Sequence, residues 1–524
     1  MDNQIRLRFA PSPTGFLHIG SLRTVLFSYL IAKKLNGKFI LRIEDTDQKR
    51  EVEGAIEGLI KILDWVGIKF DEGPCIGGDF GPYIQTQRLE IYNKYLEKLL
   101  KTKKAYYCFC APERLQKMRE EQQNKKLPPR YDRKCRDLSE EEVKQKIKAG
   151  EKFVIRQKMP LQGEVVVYDE LRGEIKFKAE DLEDHVLIKS NGIPTYQFAN
   201  VVDDHLMKIS HVTRADEWIS SFPKNALLYQ SFGWDMPKFI HFSVVLNKEG
   251  GKLSKRQGDV AVEDYKEKGY LSEVLINFCA LLGWHLKNAK IKSMSQVKSR
   301  DQKSKLLEEE IFSIEKLIEL FEIKDIGKSA GIFDIEKLNW MNGYYIRQMD
   351  LDKLTEMCIP YLEKDELIQK IENKKFKILA TREVVDFDYF KKVIGLEQER
   401  MKKLSEIGEL TKFFFIDKLE YETELLRWKK VDMNIILKNL ELAKEELEKI
   451  QDVNFIKENL EKFLMDLTKK TGVGDLLWPL RVALTGQKFS PGPFEIASIL
   501  SKKKCFKRIE QAMIKCRIME NVKY

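Results

Sequence analysis

At the start of the chain Ile5, Leu7 and Phe9 alternate with Gln4, Arg6 and Arg8, the period-2 pattern of a half-buried strand, and Pro11 and Pro13 end it. Past Gly15 and Gly20 the period changes. Leu22, Val25, Leu26, Tyr29, Leu30 and Ala32 recur at helical spacing, with Ser21 as the expected N-cap and Lys33 and Lys34 near the C-terminal end. A strand, a glycine turn and a helix in that order open a nucleotide-binding α/β sheet, because the helix N-terminus offers unpaired N–H groups and partial positive charge to a phosphate. A second strand is expected over 38–43 and a helix over 54–67 with Ile56, Leu59, Ile60, Leu63 and Trp65 on its buried side. The Gly- and Pro-rich stretch 71–83 reads as a connection, and 87–101 as an amphipathic helix.

Strand-like runs over 153–157, 163–169 and 173–177, with a very charged stretch at 112–150, make the following region a mixed α+β insertion between two halves of the sheet. The sheet is expected to resume with strands at 186–189 and 194–205 and to continue over 209–214. That places Arg214, Asp216, Glu217 and Trp218 at a strand end, where open parallel sheets bind ligands. One more strand, 240–246, leads into a basic loop, and 271–284 is a strongly apolar helix. From Leu351 onward strand alternation almost disappears, and helical patterns with Lys and Glu on the polar faces take over, as at 435–463 and 493–513. The expected fold is α/β: a Rossmann-like parallel-sheet domain (1–84 and 190–245) interrupted by an α+β module (85–189). A loop region (246–335) and an all-α C-terminal region (336–524) follow.

Composition narrows this only modestly. The chain has 524 residues, enough for several cored domains, and a net charge of +10, which suits an RNA partner without requiring one. No apolar run approaches the ~18 residues of a membrane span. The polar start Met1-Asp2-Asn3-Gln4 is no signal peptide, so a cytoplasmic protein is expected. Of the eight cysteines, Cys75, Cys279, Cys358, Cys505 and Cys516 are scattered, while Cys108, Cys110 and Cys135 cluster.

Three separated stretches sharpen the picture: Pro11-Ser12-Pro13-Thr14-Gly15 with His18-Ile19-Gly20, then Arg42-Ile43-Glu44-Asp45-Thr46-Asp47, and finally Lys252-Leu253-Ser254-Lys255-Arg256. Together they resemble class I aminoacyl-tRNA synthetases, and within that class the bacterial glutamyl-tRNA synthetases. The resemblance covers nearly the whole chain and includes the Trp478-Pro479-Leu480-Arg481 element of a helical anticodon-binding region. It implies an acceptor-binding role for the insertion and activation of L-glutamate by ATP with Mg2+. It further implies transfer to tRNA(Glu), with tRNA(Gln) left open as a second acceptor, by a monomer.

For that chemistry cations and N–H donors must meet charge growing on phosphate oxygens. His18, Lys252 and Lys255 are the expected catalytic donors. The resemblance adds Gly15, Gly20, Glu217, the Val245 backbone and Ser254 around ATP. A glutamate pocket needs guanidinium groups for carboxylates and a carboxylate for the amine. Arg8 and Arg214 fit the first need and Glu44 the second, and similarity adds Ala10, Ser12, Tyr196 and Asn200. Helix capping by His18 and strand-end packing by Tyr196 are the plainer alternatives. Arg42 with Asp45 reads equally as a structural ion pair, and Asp203, Asp204 and His205 as loop structure. Some relatives hold zinc with a Cys-x-Cys pair, a later cysteine, and a tyrosine before it or a histidine two places after. Here the last position is Asp137, which leaves Cys108, Cys110, Tyr131 and Cys135 as the zinc ligands, against reduced, metal-free cysteines as the alternative.

Overall fold

In the computed structural model, which describes residues 4–13, 15–47, 52–253, 260–286, 308–372 and 374–521, the opening alternation forms β1 (Arg6–Phe9). The next helix, α1 (Ile19–Lys34), begins earlier than expected. Its N-cap is His18, whose Nδ1 accepts the Gly20 N–H at 3.0 Å, so Ser21 lies inside the first turn. Asn36 and Gly37 then turn the chain into β2 (Lys38–Leu41), which runs parallel to β1 with Arg6 opposite Lys38 and Phe9 opposite Leu41. Gly37 lies so close under the start of β1 that an added Cβ would sit 2.5 Å from the Ile5 carbonyl oxygen. Helix α2 (Ala55–Trp65) buries Leu59 and Leu63 as expected, together with Ile62.

After α3 (Leu89–Lys101) come β3 (Ala105–Cys108), α4 (Pro112–Asn124), α5 (Glu140–Lys148) and β4 (Val154–Gln157). Next are β5 (Glu164–Asp169), β6 (Gly173–Lys178) and β7 (Val186–Ile188). Two expectations change here. Strand β7 does not resume the main sheet but joins β3 and β4 in a separate antiparallel sheet, order β3-β4-β7. The β5–β6 hairpin, expected inside the insertion, instead extends the main sheet. Its inward residues Val165 and Val167 join one core with Ile40, Met207, Val212 and Phe239. Alternation specifies a strand with one buried face, but not which sheet receives it.

The stretch 194–205, expected as a strand, is helix α6 (Tyr196–Leu206). Every residue from Phe198 to Asp204 is buried, so the run has no polar face to mark a helical period, and period alone cannot separate a buried helix from a buried strand. Strand β8 (His211–Ala215), helix α7 (Phe222–Phe232) and β9 (Lys238–Phe242) complete the sheet, whose order is β2-β1-β8-β9-β5-β6. All neighbours are parallel except β5 with β6. The expected strand 240–246 is two pieces. Past Ser243, β10 (Val245–Leu246) pairs in parallel with β11 (Gly331–Ile332), and α8 (Val262–Glu267) and α9 (Ser272–Ala280) lie between them in sequence.

The chain divides into two units, Met1–Lys266 with Leu271–Ile335, and Glu267–Tyr270 with Glu336–Tyr524. The second is mostly helical but not all-α. The strands β12 (Ile368–Glu372), β13 (Lys375–Ile378) and β14 (Val384–Asp386) form an antiparallel meander, in which Phe376 and Ile378 are buried between polar residues. The pattern over 435–463 resolves into helices Met433–Glu448 and Lys457–Thr471, and that over 493–513 into Pro493–Ile499 and Lys502–Asn521. Among the described residues no helix is long and apolar enough to cross a membrane.

Replacing Gly37 by Ala forces the α1–β2 turn away from β1, because the obstructing atom is backbone and cannot rotate aside. A loss of about 1–3 kcal/mol is expected, the usual cost of overpacking. It would appear as a lower urea midpoint for the first unit; an unchanged midpoint would mean that the turn opens freely.

Candidate active site

The strand order reverses at β1, with β2 on one side and β8 on the other, so the carboxyl ends of these strands border one crevice. Beneath it lies a buried ionic network. Arg8 Nε and Nη2 donate to the two carboxylate oxygens of Asp204 at 2.9 and 3.1 Å, and its Nη1 reaches the Thr213 carbonyl at 3.4 Å. Arg42 Nη1 donates to Asp204 Oδ1 at 2.7 Å, while its Nη2 and Nε donate to Glu44 Oε1 at 2.9 and 3.3 Å. Asn200 Nδ2 donates to that same Glu44 oxygen at 3.1 Å. One residue along α6, Asp203 accepts from Arg88 Nε at 2.7 Å, Gln85 Nε2 at 2.9 Å and the Tyr92 hydroxyl at 2.8 Å. All the charged members are buried.

Asp203 and Asp204 are therefore not loop residues but the acidic centre of the fold. Arg42 pairs with Glu44 and Asp204, whereas Asp45 accepts the Thr86 N–H at 2.9 Å. The sequence held a usable signal: two adjacent acids within an apolar run demand buried cations. Burial raises the pKa of Asp204, but Arg8 and Arg42 outweigh it and hold the carboxyl below its ordinary range. At Glu44 burial wins over Arg42 and Arg8, and its pKa is raised.

Arg214, at the end of β8, is buried too, yet its described partners are neutral. Nε donates to His241 Nε2 at 2.9 Å and Nη1 to Asn225 Oδ1 at 3.4 Å, while Nη2 meets no hydrogen-bond acceptor among the described residues. Burial lowers its pKa, opposed by the nearby Tyr196 hydroxyl. Tyr196 opens α6, packs its ring 4.7 Å from that of Trp218, and feels Glu44, Arg214, Arg8 and Asp204 electrostatically. Ala10, half-buried, and Ser12, exposed, lie on the segment beyond β1. Backbone bonds from Arg42 to Phe9 and from Glu44 to Pro11 tie that segment to the end of β2. The structure thus gathers Arg8, Glu44, Tyr196, Asn200 and Arg214 around one crevice.

Several residues expected around ATP also lie close together. Gly15 has φ +134°, a conformation that favours glycine, in the turn before His18. The Ile19 N–H donates to Val260 and the Val262 N–H to Leu17, each at 2.8 Å, so the chain leaving the basic loop pairs with the segment bearing His18. On the other arm Leu246 bridges to Lys252, and Asn247 closes the turn through Gly251. Lys252 Nζ contacts Glu217 Oε2 at 2.7 Å, both side chains being exposed. Burial lowers the His18 pKa, and Lys252 adds to this, while a hydrogen bond to the Leu253 backbone opposes it. Imidazole and basic segment therefore share one site. Val245 lies in β10, Gly20 in the first turn of α1, and Ser254 and Lys255 outside the described residues.

The Sγ atoms of Cys108, Cys110 and Cys135 lie within 4.8 Å of one another, with Cys110 and Cys135 3.5 Å apart. The Tyr131 hydroxyl stands 3.3 Å from Cys108 Sγ and 3.5 Å from Cys110 Sγ. Thiolates bound to a tetrahedral zinc at ~2.3 Å stand about 3.8 Å apart, so the cluster has the dimensions of a zinc site. Asp137 is exposed and pairs with Lys158 at 3.4 Å.

Comparison with known proteins covers both units. Residues 4–340 match the family model of the class I tRNA synthetase (E and Q) catalytic domain, and residues 353–513 an anticodon-binding domain. The chain is 44% identical to a glutamate–tRNA ligase of Clostridium botulinum, across 99% of this chain and 100% of that one. It is 45% identical to a glutamate–tRNA ligase of Clostridium tetani, across 97% of each. A crystal structure of a glutamate tRNA ligase from Elizabethkingia meningosepticum, in complex with its amino acid, superposes with a TM-score of 0.82 at 34% identity, covering 98% and 99%.

Asp204→Asn leaves two buried guanidinium groups short of a counter-charge, and a loss of about 3–5 kcal/mol of stability is expected. The carboxyl pKa is lowered by folding, so its contribution is complete above the unfolded value of 3.8 and fades as pH falls through the folded value. Denaturant titrations across pH 3–7 should therefore show wild type and Asp204→Asn converging toward acid. A constant gap would count against the ion pairs as its source.

Proposed function

Because the chain belongs to the class I tRNA synthetase family for glutamate and glutamine and ligates glutamate to tRNA, we propose that the crevice between β1 and β8 is where glutamate meets ATP. Arg214 carries this reading: a buried guanidinium with neutral partners keeps its charge for a ligand carboxylate. It takes the side-chain carboxylate. Glutamine would bring amide N–H groups toward a side chain that only donates. Arg8 offers Nη1, which Asp204 does not use, to the other carboxylate. Glu44 offers the ammonium Oε2, the oxygen free of the Arg42 and Asn200 bonds. Ala10, Ser12, Tyr196 and Asn200 complete the wall.

On the other side His18, Lys252 and Lys255 meet the phosphates of ATP, which arrives with Mg2+, while Gly15 and Gly20 let it approach the backbone. The Ser254 hydroxyl joins these groups, and Glu217 and the Val245 backbone hold ribose and adenine. The exposed Lys252–Glu217 pair is worth little, so either group exchanges it readily for ATP. An α-carboxylate oxygen of glutamate attacks the α-phosphorus, the bond to the bridging oxygen breaks, and pyrophosphate leaves. A hydroxyl of the terminal adenosine of tRNA then attacks the acyl carbon, AMP leaves, and the hydroxyl proton passes to the departing phosphate. tRNA(Glu) is the acceptor; charging assays with tRNA(Gln) define whether the range is wider. The Cys108, Cys110, Cys135 and Tyr131 set holds a structural zinc ion.

His18 both caps α1 and faces the phosphates, and one pair of variants separates the two roles. Asn keeps a cap acceptor near the position of Nδ1 but lacks Nε2. His18→Asn should melt near wild type yet lose about 10²–10³ in kcat for ATP–pyrophosphate exchange in the presence of tRNA, the usual effect of removing one transition-state donor. His18→Ala should lose both. Near-normal exchange by the Asn variant would reduce the imidazole to a cap.

Metal analysis of protein purified without chelator should give about one zinc per chain, as a closed thiolate site requires. A content far below that leaves the cysteines as reduced thiols.

A further inference from the structure

Behind Arg214 stand two residues that no nucleotide or glutamate role claims. His241, on β9, is 1% exposed, and Asp169, at the end of β5, is 0% exposed. Asp169 Oδ2 lies 2.7 Å from His241 Nδ1 and also accepts the His241 backbone N–H at 2.9 Å. Its Oδ1 accepts the Leu171 and Arg172 N–H groups, which locks the carboxylate into the β5–β6 turn. On the far side of the ring, His241 Nε2 lies 2.9 Å from Arg214 Nε.

Donor and acceptor roles along this line are unambiguous. An ionised carboxylate only accepts and a guanidinium only donates. The imidazole must then be neutral, with its proton on Nδ1 and its lone pair on Nε2. Burial, the first cause lowering its pKa, keeps it neutral, with Arg214 and Arg172 adding to the effect and Asp169 opposing it. Phe239 stacks beside the ring and Phe222 packs against it at a tilt, and neither adds charge.

The contrast with Arg8 gives this arrangement its meaning. A carboxylate directly on Arg8, shared with Arg42, offsets part of its charge, whereas a neutral imidazole on Arg214 fixes the guanidinium plane and leaves its charge uncancelled at contact distance. We infer that Asp169 and His241 are positioning residues that hold Arg214 in one orientation and thereby set the selection of glutamate over glutamine. The inference rests on the reading of Arg214 as the group that takes the side-chain carboxylate.

Steady-state aminoacylation by the full chain with three variants tests it. His241→Asn keeps a donor for Asp169 but is too short to accept from Arg214, while His241→Gln carries its amide oxygen near the Nε2 position. For His241→Asn the KM for glutamate should rise about tenfold or more, the scale of one lost charge-assisted hydrogen bond. KM for ATP should stay put, and the kcat/KM ratio of glutamate to glutamine should narrow. His241→Gln should restore most of the glutamate KM. An unchanged glutamate KM in folded His241→Asn, or equal rises for glutamate and ATP, overturns the inference. Arg214→Gln separates the two readings. If it leaves the glutamate KM unchanged, the carboxylate role of Arg214 falls and this inference with it; if it raises that KM while His241→Asn does not, only the inference falls. Histidine 15N spectra of the wild-type chain need no variant to fold: a buried ring protonated on Nδ1 supports the inference, and the absence of any such ring overturns it.

Discussion

The contact on which the first unit depends is the sharing of Asp204 between Arg8 and Arg42. Arg8 belongs to β1, Arg42 follows β2, and Asp204 belongs to α6, so one carboxylate joins two adjacent strands to the helix that begins at Tyr196. Taking such ions out of water costs several kcal/mol each, and apolar residues of similar size would often be as stable. What the ions supply is a rigid, already oriented set of charges at the carboxyl ends of the strands, needing no reorganisation when a charged ligand arrives.

Within that set the pairing is uneven in a useful way. Arg8 and Arg42 meet carboxylates and Arg88 meets Asp203, while Arg214 meets an imidazole and an amide. The glutamate pocket proposed here, for two carboxylates and one ammonium, uses this asymmetry. Complete neutralisation would leave no preference for glutamate, and an array without buried carboxylates would not tolerate the ammonium.

The part of the site proposed for ATP rests on backbone rather than on buried charge. Pairing of Leu17 and Ile19 with Val260 and Val262 brings the far end of the basic loop to the histidine that caps α1, and the Leu246–Lys252 bridge fixes its near end. Lys252 itself remains exposed with an exchangeable partner.

Local chemistry determined much of this by itself. The alternation before Pro11, the helical period after Gly20 and the basic run at Lys252 are properties of neighbouring residues, so β1, α1 and the existence of that basic segment were legible without a structure. So were Arg214 at a strand end and the spacing of Cys108, Cys110 and Cys135. Other features depend on partners far away in the chain. Asp204 looks like loop polarity until Arg8 and Arg42, 196 and 162 positions away, are seen to share it. The helix at Tyr196–Leu206 is buried on nearly every side and so hides its period. The β5–β6 hairpin shows its apolar face in the sequence, but only packing against Val212 and Phe239 places it on the main sheet, and with it Asp169 behind His241. Period and motif are set by covalent neighbours, whereas the partner of a buried charge is set by where the chain returns.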